Sequence, residues 1–182
     1  VQSMVIFDRD FRSQDEVESE RKILLEVCDT VHIHDRKEIE NYLLIPSAID
    51  RAIQAKAVAQ SQRTGRANDI VIDAEQELTS IAETYHTRVI SQYLARYRKH
   101  LARESRQTDE STLNERIISE FEEVWARTEG MLARAPGKEL LAKLNERIQR
   151  KAHVSLSGIA IVQAMHTDEV PAEIRDVIES IR

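Results

Sequence analysis

A chain of 182 residues with 41 % hydrophobic and 32 % charged side chains can bury one ordinary core beneath a heavily solvated exterior. Only 4 glycines, 3 prolines and 4 % aromatics exclude a sandwich or barrel of many short strands and favour helices. The net charge of −6 excludes a globally basic nucleic-acid coat, though not a local basic surface, and the single cysteine excludes an internal disulfide or a Cys-rich zinc module. No apolar run approaches the roughly 20 residues of a membrane span and no signal peptide is visible, so a cytoplasmic protein without a membrane partner is expected. Val1 leads almost at once into a strand-like run, as expected of a piece of something longer.

Residues 1–7, ending in Met4, Val5, Ile6 and Phe7, predict a short strand apolar on both faces, the pattern of a central strand in a parallel sheet. Asp8-Arg9-Asp10 ends it. Residues 14–28 carry a helical period through Val17, Ile23, Leu24, Val27 and Cys28, with Asp15, Glu16, Glu18 and Glu20 near the positive end of the helix dipole. Val31-His32-Ile33-His34 predicts a second strand. Strand, helix and strand in succession are half of a doubly wound sheet. Residues 37–44 can form a short helix that Pro46 terminates or kinks, and Ser47 can cap a helix through Ile49, Ile53 and Val58. Residues 60–68 read as an exposed loop. Apolar positions spaced three and four apart from Ile70 to Leu101 predict one long amphipathic helix over 69–105, with room for one break. Ser111 and Asn114 begin a helix through Ile117, Phe121 and Trp125, after a polar break at 108–112. Ala135-Pro136-Gly137-Lys138 is the strongest punctuation and opens a helix with Leu140, Leu144 and Ile148. Short helices are predicted over 155–165, capped by Ser155, and over 171–181, with Pro171 near the first helical position.

Asp8 and Asp10, two apart on a strand, are expected to project to one side while Arg9 points away. Two carboxylates so close raise each other's pKa unless a cation sits between them, and hard oxygen ligands select Mg²⁺ or Mn²⁺. Open α/β sheets also hold ligands outside the carboxyl ends of their strands. The alternative is a solvated strand exit with two ordinary surface acids. Glu40, between Ile39 and Leu43, lies against the expected core and would need a metal or a buried partner; the alternative is an acid serving a helix dipole. Asn41 can hold a carboxylate or a backbone group in place. His32 and His34 share a strand face that could suit a metal, but no third ligand is evident. Cys28 reads as a core residue at a helix end.

Arg88, Arg96, Arg98, Lys99, Arg103 and Arg106 face a single acid, Glu104, across residues 85–106 of an otherwise acidic chain. Such a helix can track phosphates; a solvated face paired with the acidic 110–123 region is the alternative. Tyr85, Tyr93, Tyr97 and Trp125 read as packing residues. Lys138 stands in the first turn of a helix, where a cation opposes the dipole but would suit a nearby phosphate. The alternative is an exposed lysine in a loop-to-helix turn.

The runs VIFDRDFR (5–12), RKEIENYLLIP (36–46), GKELLAKLN (137–145) and VSLSGIAIVQAMHTDEVPAEI (154–174) resemble the C-terminal region of ATPase-linked Toprim nucleases of the overcoming-lysogenization-defect family. In that family an N-terminal ABC-type ATPase precedes a Toprim domain that cuts DNA with divalent metal. The resemblance implies that Asp8 and Asp10 bind Mg²⁺ or Mn²⁺, that Glu40 adds to the metal site and a catalytic role, and that Lys138 approaches the scissile phosphate. The family's first catalytic glutamate, on a strand and glycine-rich turn before the Asp-x-Asp, has no counterpart here. Neither does a P-loop, so ATP would belong to a missing N-terminal domain of the same chain.

The expected fold is α/β plus α: a partial Toprim-like parallel sheet of two or so strands over 1–46, a helical region over 47–134, and a helical tail over 135–182 folding back on the sheet. The expected function is metal-dependent DNA endonuclease activity in phage defence or DNA repair, with DNA, the ATPase domain and a second copy as partners. Arg88, Arg96, Arg98, Lys99 and Arg103 would bind the nucleic acid. The competitors are a non-catalytic helical module for dimerisation or docking, and a Toprim domain of a topoisomerase or primase.

Overall fold

In the computed structural model, which describes residues 3–101 and 109–180, Met4–Phe7 (β1) and Thr30–Ile33 (β2) pair in parallel. The register runs from Met4 opposite Thr30 to Phe7 opposite Ile33. A parallel pair needs a crossover, which α1 (Gln14–Leu24) supplies. Its start is a capping box: Ser13 Oγ accepts from the Glu16 amide, while the Glu16 carboxylate accepts from the Ser13 amide. Val17 of α1 meets Val31 and Ile33 of β2 in a small core edged by Leu24 and Cys28. The helix ends earlier than its apolar period, because the Val27 and Cys28 amides turn back to the Leu24 carbonyl.

β1 differs from the expected central strand. Among the described residues a sheet of two strands gives it one neighbour, and Ile6 and Phe7 remain 44 % and 39 % exposed.

After β2 the chain makes a 3₁₀ turn over Ile39–Leu43 and enters α2 (Pro46–Thr64). Pro46 opens this helix instead of breaking one, because its missing N–H falls where no intrahelical partner exists. Gly65, with φ 69°, closes α2 in the left-handed conformation, so the helix consumes part of the expected loop. The long amphipathic stretch divides at Thr84 and Tyr85 into α3 (Ala74–Glu83) and α4 (His86–Leu101). Residues 70–73 lie before α3, whose first amide donates to Asp50 and whose cap is Asp73.

α5 (Glu110–Trp125) is capped by Asp109, not Ser111. A short α6 (Thr128–Arg134) follows, unforeseen in the sequence. α5 and α6 meet so closely at Gly130 that a Cβ there would lie 2.1 Å from the Val124 carbonyl oxygen. α7 (Gly137–Ala152), α8 (Gly158–Ala164) and α9 (Ala172–Ser180) complete the chain, with Ser157 rather than Ser155 capping α8. Ile49, Leu78, Ile81, Phe121, Leu144 and Ile161 are fully buried in one large core, so the tail shares its packing with the middle helices. Among the described residues no helix is long and apolar enough to cross a membrane.

Candidate functional site

The carboxyl ends of β1 and β2 carry the candidate acids. Asp8, exposed immediately after β1, accepts the Ile39 amide on Oδ1 at 3.0 Å. Asp10 lies beyond the strand, in a turn with φ 51° that aspartate tolerates better than most side chains. Its amide donates to the Lys37 carbonyl at 3.0 Å, and its Oδ2 faces Arg12 Nη1 at 3.2 Å. Strand alternation therefore does not set the direction of Asp10; the left-handed turn does. Arg9 reaches Asp35 at 3.4 Å and Gln14 at 3.1 Å.

Glu38, rather than Glu40, is the acid drawn into contacts at this end. Its carboxylate pairs with Lys37 and accepts the Lys138 backbone amide at 3.1 Å. The amino-terminal end of α7 thus docks beside the turn that follows β2. The Lys138 side chain is exposed, while Glu40 is half-buried and, among the described residues, makes no hydrogen bond or ion pair. Asp8, Asp10 and Glu40 do not gather three ligand atoms within 4.8 Å of one another.

Asn41 holds backbone groups in place. Fully buried, it donates from Nδ2 to the carbonyls of Leu132 at 2.6 Å and Ala135 at 2.8 Å, and accepts the Glu38 amide at 2.8 Å. One residue thereby satisfies carbonyls at the end of α6 and fixes the 3₁₀ turn.

Beside the Asp10 turn lies a cleft of about 500 Å³, lined among others by Arg9, Asp10, Arg12, Tyr93, Tyr97 and Arg134. Burial pushes the Arg134 guanidinium below its ordinary pKa, and Arg9 and Arg127 add to the effect against the opposing influence of Tyr93. Among the described residues no carboxylate lies within ion-pairing distance of Arg134.

The basic face of α4 is engaged within the chain. Arg88 pairs with Glu139 at 2.7 Å, Arg96 with Glu16 at 2.9 Å, and Arg98 with Glu110 at 2.7 Å. Lys99 is exposed; Arg103 and Arg106 lie outside the described residues. Tyr85 is buried and Tyr93 packs against the core; Trp125 stacks on Phe121 with ring centroids 5.3 Å apart.

A second cluster joins the end of β2 to α9. His32 Nε2 lies 2.7 Å from Glu173 Oε1 and 3.2 Å from His34 Nδ1, which is itself 3.4 Å from Glu173 Oε1. The Asp35 amide donates to Glu173 Oε1 at 3.0 Å, and the Tyr42 hydroxyl donates to Oε2. Burial alone would raise the Glu173 pKa, yet hydrogen bonds from His34, Tyr42 and the Asp35 amide, with the charge of His32, hold it at about 2. Burial and the hydrogen bond to Glu173 push the Tyr42 phenol up. Sequence reasoning paired the histidines but missed Glu173. Its only local signal was an acid in the first turn of a helix after Pro171, which helix electrostatics explains equally well. No family model, curated protein or solved structure matches the chain.

Proposed function

We propose that this chain forms the metal-binding part of a Toprim-type DNA endonuclease, the C-terminal region of an ATPase-linked nuclease. The observation that carries the proposal is the placement of Asp8 and Asp10 at the carboxyl end of β1, with Asp10 on the rim of the cleft that also holds Arg134, which has no ion-pair partner among the described residues. Ligands of open parallel sheets bind at such strand ends. The exposed Ile6 and Phe7 on β1 suit a strand that further elements of a larger sheet would cover.

The donors fit Mg²⁺ or Mn²⁺ by chemistry, since both aspartates offer exposed hard oxygens. Glu40 stands outside a gathered ligand set, so a complete site needs the additional glutamate that the resembled family carries on an earlier strand. When bound, the metal would supply an activated water and neutralise charge on the scissile phosphate. Asp8 and Asp10 would hold it, and Glu40 would contribute from the turn after β2. Lys138 would offset charge developing on the phosphate. The exposed ammonium of Lys138 and its backbone contact to Glu38 support that assignment.

The test is nicking of supercoiled plasmid by the chain joined to its own upstream coding sequence, with Mg²⁺ or Mn²⁺. Cleavage lost in Asp8→Ala and in Asp10→Ala is expected. Full cleavage in Asp8→Ala, or a start codon directly before Val1, would refute the proposal.

A further inference from the structure

The cluster at the end of β2 turns three potential ligand atoms, two imidazole nitrogens and one carboxylate oxygen, toward one another. A neutral imidazole carries one N–H, and which nitrogen bears it is set by its partners. If His32 Nε2 donates to Glu173 Oε1 at 2.7 Å, His34 Nδ1 faces that same nitrogen at 3.2 Å and the carboxylate oxygen at 3.4 Å. With a proton on Nδ1, two N–H groups confront each other. Without one, a lone pair confronts the carboxylate. One side of the triangle is repulsive in either case, whereas a cation between the three atoms turns every side into a shared ligand edge.

The donor set selects the ion. Two imidazole nitrogens and one carboxylate oxygen suit zinc, whereas Mg²⁺ and Ca²⁺ prefer all-oxygen shells. A tetrahedral zinc with bonds of about 2.0–2.1 Å sets its ligand atoms roughly 3.3–3.4 Å apart. Two of the separations here, 3.2 and 3.4 Å, are already close to that, and only the 2.7 Å edge must open. The outer shell is also in place. The Asp35 amide and the Tyr42 hydroxyl orient the Glu173 carboxylate, the kind of support that ligating carboxylates receive. His34 is buried, while His32 borders a shallow cleft of about 290 Å³ shared with Arg21 and Asp176, which leaves the fourth position to water.

We propose that His32 Nε2, His34 Nδ1 and Glu173 Oε1 bind one Zn²⁺ that ties α9 to the carboxyl end of β2. This centre uses none of the residues assigned to the Mg²⁺ or Mn²⁺ site and does not depend on the nuclease proposal.

The test titrates the untagged chain with Co²⁺, followed by visible absorption, and then displaces the cobalt with Zn²⁺. The expected result is saturation at one Co²⁺ per chain with the intense bands of four-coordinate cobalt, bleached by zinc, and a Tm raised by zinc. His32→Ala, at a partly exposed position, should remain folded by circular dichroism and bind Co²⁺ more than about 100-fold more weakly. Tyr42→Phe should bind about 10-fold more weakly, the cost of losing an outer-shell partner. Asp8→Ala should keep the bands unchanged. Absence of the bands and of the Tm shift in the wild-type chain would overturn the proposal, as would undiminished bands in His32→Ala. Loss of the bands in Asp8→Ala would also overturn it, because the cobalt would then belong to the aspartate turn.

Discussion

Asn41 and Gly137 approach so closely that a Cβ on Gly137 would lie 2.8 Å from both the backbone nitrogen and Oδ1 of Asn41. The glycine is required for this contact, not for an unusual backbone angle: Gly65 is the glycine with positive φ among the described residues. Asn41 in turn anchors the carbonyls of Leu132 and Ala135, so the pair sets where α6 stops and where α7 begins.

Gly137→Ala should therefore destabilise the chain by about 1–3 kcal/mol through overpacking. Asn41→Ala should cost about 1–3 kcal/mol for each buried carbonyl left unpaired. Urea denaturation of both single variants and the double variant measures the coupling. The double variant should fall somewhat short of the sum, because Ala at 41 removes the Oδ1 clash with the new methyl but leaves the backbone nitrogen in its way. Full additivity would refute the contact.

Lys138→Ala should leave stability within about 0.5 kcal/mol, as expected for an exposed side chain whose backbone amide still meets Glu38. If the chain serves the proposed nuclease, cleavage by the full-length protein should nevertheless be lost while DNA binding persists. Thermal unfolding, filter binding and plasmid nicking on one preparation separate these effects. Equal loss of binding and cleavage would make Lys138 a docking residue instead.

Glu169 is held at about 2 by the Ser47 hydroxyl, the His166 amide and Arg51. Its folded pKa lies below the ordinary value of 4.5, so its contribution to stability is complete above that value and disappears as pH falls toward 2. Glu77 shifts in the same direction: burial opposes, but hydrogen bonds from Lys151 and Arg147 prevail. Glu169→Gln should lower stability by up to about 1 kcal/mol at neutral pH, the scale of a solvent-accessible ion pair. The gap from wild type should close through the acid range, as read by urea midpoints along a pH series. A constant gap would show that the charge is not responsible.

Arg96 ties α4 to Glu16, which is also the capping-box acid of α1. Replacing Arg96, Arg98 and Lys99 by Ala should lower the DNA affinity of the full-length protein about equally for all sequences and flatten its salt dependence. The internal pairing predicts a second effect, a small loss of stability of about 0.2–1 kcal/mol for each ion pair removed. Unchanged affinity with reduced stability would assign the basic face to folding alone.

Much of the architecture was written in short-range patterns. The β1–α1–β2 succession follows from apolar runs and acidic helix starts, and α7 follows from Pro136-Gly137 ahead of Leu140, Leu144 and Ile148. Local patterns failed where a neighbour decides. Pro46 carries the same chemistry whether it stops a helix or starts one, and only the preceding 3₁₀ turn settles which. α6 is a seven-residue helix whose Gly130 makes sense only against Val124. Asp10 reads as a strand residue until its left-handed turn is seen. Within the site, Asp8 and the histidine pair were legible. That Glu38 rather than Glu40 makes the contacts at this strand end was not, because both occupy the same short segment and only the arrival of α7 distinguishes them. Glu173 was out of reach for the same reason.

The contacts of Glu173 with His32 and Tyr42 span 141 and 131 positions of sequence. Closing so long a loop carries an entropic cost that rises with the logarithm of its length, and contacts of this kind form after those between sequence neighbours. The α4–α5 and α6–α7 pairs, by contrast, join adjacent elements. Folding should thus proceed from a helical nucleus toward a late event in which the C-terminal helix snaps onto the strand end. Among the described elements, the order of events makes this C-terminal helix the first to detach when the protein is heated.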